Sequence, residues 1–371
     1  MTWIILITIA ICGSLLYYYY LALSWGGYGR KRIELIAGRE YVSVIVAARN
    51  EAENIRELLV RLGNQNYPAE FFEVIIADDG SEDGTGEIAE EYAVNWDNLK
   101  VLHIRRESGN QGGKKNALQQ AVESASGELI LITDADCLPG SNWIRTMVSG
   151  FDNDIDMVAG LSRTKTDTKL QVGSVQWFEH FDFMAMFAVT GGLILGGKYF
   201  SCSAQNLAYR KSSWEKVGGY SRIMHLVSGD DVNLMQLFRQ AGMKITFSRT
   251  PASFMTTSAV GSWRELLNQR SRWASNTGVQ LSANPEFFAY LMSALIITYF
   301  PWIVLAFNFQ IGFCLLFVRL VVEMKFVKTA FGHLQAEKNL WLSYPLWMIM
   351  QPIYMLFVAV GGFFSLYSWK K

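Results

Sequence analysis

At 371 residues the chain is long enough for one large core or for two domains. Its 33 basic and 33 acidic residues balance, so bulk electrostatics argue against a nucleic-acid partner. Hydrophobic residues make up 51% and aromatics 14%, an excess concentrated at the two ends. Cys12, Cys137, Cys202 and Cys314 show no Cys-x-x-Cys spacing, and His103, His180, His225 and His333 lie far apart, which argues against a zinc site and a disulfide framework.

Trp3 to Leu23 is apolar and uncharged over roughly the 20 residues needed to cross a bilayer. No basic stretch precedes it, and Tyr17 to Tyr20 stand where a small-residue cleavage site would be expected, so residues 1–25 read as an uncleaved anchor. Arg30, Lys31, Arg32 and Arg39 follow closely, and the positive-inside rule then places the next domain, residues 40–285, in the cytoplasm. That localisation is a multi-pass protein of the cell membrane.

In that domain short β-rich runs alternate with helical patterns. Tyr41 to Ala48 predicts a strand, and Asn50 with Glu53 predicts a capping box opening a helix whose apolar face is Ile55, Leu58, Leu59 and Leu62. Phe72 to Ala77 predicts the next strand, ending in Asp78-Asp79-Gly80-Ser81, with a helix from about Thr85. Lys100 to Ile104 and Lys114 to Ala125 add a third strand and helix. Gly127, then the apolar run Leu129 to Ile132, predicts a fourth strand, buried on both faces. The order βαβαβαβ predicts an α/β domain with a mainly parallel sheet, helices on both faces and ligands at the C-terminal strand edges.

The fourth strand ends in Asp134 and Asp136. Residues i and i+2 of a strand share a side, so two acids meet there, and a hard dication bound partly to substrate phosphates would relieve their repulsion. Taken alone, the pair reads sooner as a solvated Asp-x-Asp turn, and the company of the other motifs reverses that. Gly109 to Lys114 is one residue short of a phosphate loop and has no Ser or Thr after its lysine, and Gly80 to Gly86 does not have dinucleotide spacing, so an ATPase or a dehydrogenase is a poor reading. Lys114 or Lys115 can still bring positive charge to a diphosphate; a solvated basic turn is the alternative.

Further on, Phe183 to Phe200 is apolar but broken by Gly191, Gly192, Gly196 and Gly197, and reads as a buried core segment or an interfacial element bordering an acceptor site. Ser228-Gly-Asp230-Asp231 opens a helix with Leu234, Leu237, Phe238 and Ala241 on its apolar face; one acid suffices for capping, leaving the other for chemistry. Ser262 to Glu265 predicts a capping box on a helix carrying Gln269, Arg272 and Trp273 on one side, an amide, a cationic fork and an indole suited to a phosphate and a sugar ring. Residues 286–371 read as a membrane region of about three helices, Phe287 to Phe307, Ile311 to Val327 and Leu342 to Leu366, with Arg319 and Glu323 a mutually satisfied i,i+4 pair. The basic residues between the last two favour a cytoplasmic loop. Three exit spans would put Lys370 and Lys371 outside, against the same rule.

Seven stretches in order, VSVIVAARNE, IIADDGSEDGT, GGKKNAL, ITDAD, QNLAYRKSSWEKVGGY, GDD and QRSRW, resemble a membrane-bound family 2 inverting glycosyltransferase of GT-A fold from about Tyr41 to Trp273. The resemblance implies a nucleotide-sugar donor, UDP-linked, and Mg²⁺ or Mn²⁺ as cofactor. It implies that Asp79 contacts the base, that Ala48, Asn50, Glu51, Lys114 and Asp134 line the donor site, and that Asp136, helped by Asp134, holds the metal. Asp231 would deprotonate the acceptor hydroxyl, with Asp230 standing where the family usually has Glu. Gln269, Arg272 and Trp273 would lie beside the diphosphate and acceptor. The expected reaction moves one sugar to a lipid or saccharide acceptor. A processive polysaccharide synthase is the alternative, disfavoured because four spans give little wall for a polymer channel, and an inactive scaffold that binds nucleotide sugar is a third reading.

Overall fold

The computed structural model describes residues 2–29, 40–104, 113–152, 154–165, 171–226 and 228–368. Arg30 to Arg39, Lys370 and Lys371, on which the charge-based topology partly rested, and residues 109–112 of the near phosphate-loop motif lie outside the described residues. The chain forms two compact units: Lys31–Lys165 with Ser201–Ser258, and Met1–Arg30 with Thr166–Phe200 and Ala259–Lys371. The stretch 40–285, read from sequence as one domain, is therefore divided between them.

The first unit is built on a seven-stranded sheet in the order β3-β2-β1-β4-β8-β6-β9. The strands are β1 (Val42–Ala48), β2 (Phe72–Asp78), β3 (Leu99–His103), β4 (Leu129–Asp134), β6 (Met157–Gly160), β8 (Leu207–Arg210) and β9 (Ile245–Ser248). The four strands predicted from sequence pair in parallel, and β8 runs antiparallel between β4 and β6. A second sheet of β5 (Cys137–Pro139), β7 (Ser162–Thr164) and β10 (Met255–Thr257) has the order β5-β10-β7. The β1, β2 and β4 runs are buried nearly throughout, as continuous apolar sequence under helices requires. The Ala52–Gly63 helix seats Ile55, Leu58, Leu59 and Leu62 against this core.

The start of β4 is pinned by a buried polar knot. Gly127 N donates to Ser43 Oγ at 2.8 Å, Ser43 Oγ donates to Glu73 Oε1 at 2.6 Å, and Lys100 Nζ meets Glu73 Oε2 at 2.6 Å. A Cβ on Gly127 would stand 2.4 Å from the Ser43 nitrogen, so only glycine allows the chains to approach here.

The second unit is helical. Among the described residues, four helices are long and apolar enough to cross a membrane: Ile4–Tyr28, Val175–Leu195, Pro285–Phe307 and Leu340–Phe363. Two expectations meet these helices: the buried-core reading of one segment holds, and the span expected of another is corrected. The segment around Phe183 to Phe200, read as core or interfacial, lies largely in the Val175–Leu195 helix, which qualifies by length and composition and is mostly buried, whereas the other three expose most of their apolar surface. The Phe309–His333 helix, expected to span through Ile311 to Val327, does not qualify, because Arg319, Glu323, Lys325 and Lys328 interrupt its apolar run. The glycines of the Val175–Leu195 helix serve packing: a Cβ on Gly192 would meet Ser24 Oγ at 2.2 Å, and Ser24 Oγ donates to Val189 O at 2.9 Å. Arg319 and Glu323 are paired, as expected, at 3.0 Å, but inside a buried network in which Arg319 also donates to Gln351 Oε1 (2.6 Å) and Tyr344 donates to Glu323 Oε2 (2.6 Å).

Candidate active site

β1 lies between β2 and β4, so the sheet's strand order turns there, and the register places Ala48 beside Asp78 and Ala47 beside Asp134. The loops after β1 and β2 are laced together. Asn50 N donates to Ser81 Oγ (3.0 Å), Glu82 N to Asn50 Oδ1 (2.9 Å), Glu51 N to Thr85 Oγ1 (2.8 Å) and Ala52 N to Asp83 Oδ2 (2.9 Å). The expected Asn50 capping box does not form. Asn50 adopts φ +55, which Asn tolerates better than most residues, and its side chain serves the neighbouring loop, while Asp83 from that loop accepts the helix's first N–H. Asp79 is buried directly beside this lacing, with its N–H donated to Ala48 O at 2.9 Å. Asp78 accepts from Ser81 N at 3.1 Å and faces His103 Nδ1 at 3.3 Å.

Asp134 ends β4, but Asp136 does not continue the strand: it sits in the turn that leads into β5. The two carboxylates still interact, through that turn and not through strand alternation. Burial, Asp134 and Glu51 push the Asp136 carboxyl up to about 6. Its hydrogen-bonding neighbours are weak, Cys137 Sγ and Thr257 Oγ1, each at 3.5 Å. A buried carboxylate facing further negative charge, with two distant donors, is under-compensated and suits a hard cation. Among the described residues no group of three or more His, Cys, Asp or Glu could hold a metal unaided. The two acids therefore fit a hard divalent cation such as Mg²⁺ or Mn²⁺ only with further oxygen ligands that these residues do not supply.

Lys114 opens the Lys114–Ser124 helix, and its Nζ stands 2.5 Å from Asp134 Oδ1 and 3.3 Å from Asp230 Oδ2. Burial works against its charge, but Asp134 and Asp230 outweigh burial and hold its pKa above the ordinary lysine value. One ammonium thus ties the acids after β4 to those that begin the Asp230–Gln240 helix. Burial opposes ionisation of Asp230, but Lys114, a backbone hydrogen bond and Lys115 together outweigh it and the pKa is lowered. For Asp231, burial and then Asp230 raise the pKa to about 6. Asp231 Oδ2 accepts from Ala204 N (3.0 Å) and Oδ1 from Val232 N (2.7 Å), which orients the carboxylate. On that helix Leu234 and Phe238 are buried as expected, with Met235, while Ala241 lies beyond its end and is exposed.

Sequence reasoning passed over the contributions of Ala204 and Gln205. Thr133 Oγ1 donates to Gln205 O at 2.9 Å, and Gln205 Oε1 is a buried acceptor without a partner among the described residues. Gln269, Arg272 and Trp273 belong to the other compact unit, on the Trp263–Ala274 helix, whose cap Ser262 accepts from Glu265 N. Arg270, which sequence reasoning also missed, supports this element: its guanidinium carbon lies 4.2 Å from the centroid of the Trp273 ring and 5.1 Å from that of Phe183, and its Nε is 3.7 Å from Asp182 Oδ2. The i,i+3 spacing of Arg270 and Trp273 was the available signal.

A mostly parallel sheet with paired acids where its strand order turns is the architecture of the GT-A fold. Residues 43–218 match the family described as Glycosyl transferase family 2. That match takes in a little under half of the chain. It is 31% identical over 209 residues to Glycosyltransferase AglE of Haloferax volcanii, covering 56% of this chain and 64% of that protein. It is 26% identical over 272 residues to the Probable glycosyltransferase YdaM of Bacillus subtilis, covering 73% and 63%. Beta-monoglucosyldiacylglycerol synthase of Trichormus variabilis is 39% identical over 121 residues, covering 33% of this chain and 25% of that protein. The chain thus matches less than two thirds of the length of these relatives. In fold it is similar to the mannosyltransferase PcManGT of Pyrobaculum calidifontis, solved with GDP-Man and Mn²⁺, with TM-score 0.60 and 21% identity over 96% of this chain and 99% of that one.

Proposed function

We propose that this protein transfers one sugar, with inversion, from a nucleotide-diphosphate sugar to a hydroxyl of a lipid or lipid-linked acceptor at the cytoplasmic membrane face. The observation that carries this reading is the bridge from Lys114 to Asp134 and Asp230, which gathers acids almost a hundred residues apart in sequence around one charge. The apolar helices, and a relative whose name is that of a monoglucosyldiacylglycerol synthase, support a lipid acceptor. A UDP-linked donor is part of the proposal.

In this reading Asp79 holds the base, and Ala48, Asn50 and Glu51 line the donor. Asp134 and Asp136 would hold Mg²⁺ or Mn²⁺, which when bound supplies Lewis-acid stabilisation to the departing diphosphate. Gln269, Arg272 and Trp273 serve the diphosphate and acceptor from their own helix. Asp231 takes the proton of the acceptor hydroxyl as its oxygen attacks the anomeric carbon opposite the leaving group. A carboxylate pushed up to about 6 suits this work, ionised at neutral pH yet more basic than an ordinary Asp.

The test uses the full chain in detergent, a panel of UDP-sugars with GDP-mannose beside them, and a membrane lipid extract, read by mass spectrometry. One lipid should gain the mass of a single sugar with one donor, and Asp136→Ala or excess chelator should abolish the gain. Long polymer without a single-sugar lipid would move the reading to a processive synthase. Activity persisting in demonstrably metal-free protein would remove Asp134 and Asp136 from the role given them here.

A further inference from the structure

We propose that a basic cavity on the outer face of the small sheet is a binding site for a phosphate-bearing ligand, with Arg163 its central donor, separate from the acids after β4. The register of the small sheet supplies the geometry. Thr256 pairs with Leu138 on one side and Arg163 on the other, so these three form a row across β5, β10 and β7. All three are half-exposed, whereas their strand neighbours Cys137, Thr257 and Thr164 are buried. Successive strand residues face opposite ways, and Thr257 turns its hydroxyl to Asp136 at 3.5 Å. The row and the Asp136 carboxylate thus lie on opposite faces of one thin sheet.

The row lines a cavity of about 350 Å³, with Arg61, Lys165 and Phe254 around it. That volume is at the low end of the roughly 300–1,000 Å³ usual for small-molecule sites. Three cations and no carboxylate line it among the described residues, in a chain whose net charge is zero. Like charges gathered around one concavity repel, and an anion bound among them relieves the repulsion. Arg61 is bridged to Glu57 at 3.1 Å, but both side chains are half-exposed, so that tie is weak. Arg163 lies 6.0 Å from the centroid of the Phe254 ring, and among the described residues it makes no salt bridge. A planar guanidinium, an ammonium and the Thr256 hydroxyl match a phosphate, while Leu138 and Phe254 give an apolar wall for the carbon attached to it. A soluble sugar or glycerol phosphate and a phospholipid headgroup share this chemistry.

Two measurements on the full chain in neutral detergent separate the sources: calorimetric titration with glycerol 3-phosphate, and mass-spectrometric counting of retained phosphatidylglycerol. Saturable binding of one ligand per chain is expected in at least one; lipid alone binding identifies a headgroup site. Arg163→Gln should weaken that binding about 10-fold or more, the loss of one charge-assisted contact. Lys165→Gln, at an exposed position that does not endanger folding, should weaken it several-fold, and Lys114→Gln should leave it unchanged. Thermal melting checks that each variant is folded. The proposal fails if neither ligand binds, if folded Arg163→Gln and Lys165→Gln bind as the parent does, or if Lys114→Gln alone removes binding, which would place the phosphate among the acids after β4.

Discussion

Asp231→Asn is the perturbation that most directly probes the chemistry. With a pKa of about 6, Asp231 is about nine-tenths ionised at pH 7 and about one-tenth at pH 5. Its pKa is raised, so the form competent to accept a proton grows as pH rises, and kcat/KM should climb about tenfold per unit below pH 6 and level off above it. Asparagine keeps the size but accepts no proton, so turnover should fall by ~10²-fold or more and the pH step should vanish. It also has one acceptor oxygen where Asp231 uses two, toward Ala204 N and Val232 N, so stability should fall by about 1 kcal/mol. Asp230→Asn should cost less turnover and act mainly through Lys114, which then loses one of its two acids. The assay is donor binding and initial rates for both variants from pH 5 to pH 8. A dead Asp230→Asn beside a near-normal Asp231→Asn would refute the assignment, as would a parent profile flat through pH 6. Loss of donor binding in both would move the acidic pair to the donor site.

Two predictions concern stability. Gly127→Ala would drive a Cβ to 2.4 Å from the Ser43 nitrogen and 2.7 Å from its Oγ, so it should cost about 1–3 kcal/mol or more, seen as a lower melting temperature with no change in donor preference among folded molecules. An unchanged melting temperature would mean that the β1–β4 junction yields more readily than backbone contact allows. Glu323→Ala leaves the buried Arg319 with Gln351 and Thr298 O but no acid, and should cost about 3–5 kcal/mol, whereas Glu323→Gln should retain part of that; equal melting for all three proteins would show that the network carries no net stability.

Local chemistry was enough to reveal much of the sheet. Runs such as Leu129 to Ile132 are apolar on both faces, so burial under helices is their favourable state, and the Asp residues after them mark where each apolar run ends. The periodicity of Ile55, Leu58, Leu59 and Leu62 likewise determines which helix face packs inward. The ordered motifs pointed to the family that residues 43–218 match. Partners brought from far along the chain were a tertiary matter. Asn50 looked like a cap because a local capping box is short-range, yet Asp83 reached the helix first through the adjoining loop. Asp136 kept its proximity to Asp134 in a turn that strand periodicity does not encode. The Lys114 bridge joins residues 114, 134 and 230, and no spacing rule connects them. For Phe183 to Phe200 the sequence left burial and an interfacial position open, and packing chose burial: with Ser24 against Gly192, the glycines let two helices meet closely. Sequence determines what each segment seeks to bury or expose; only the folded chain decides which distant group satisfies it, because that choice depends on distances that short-range periodicity does not contain.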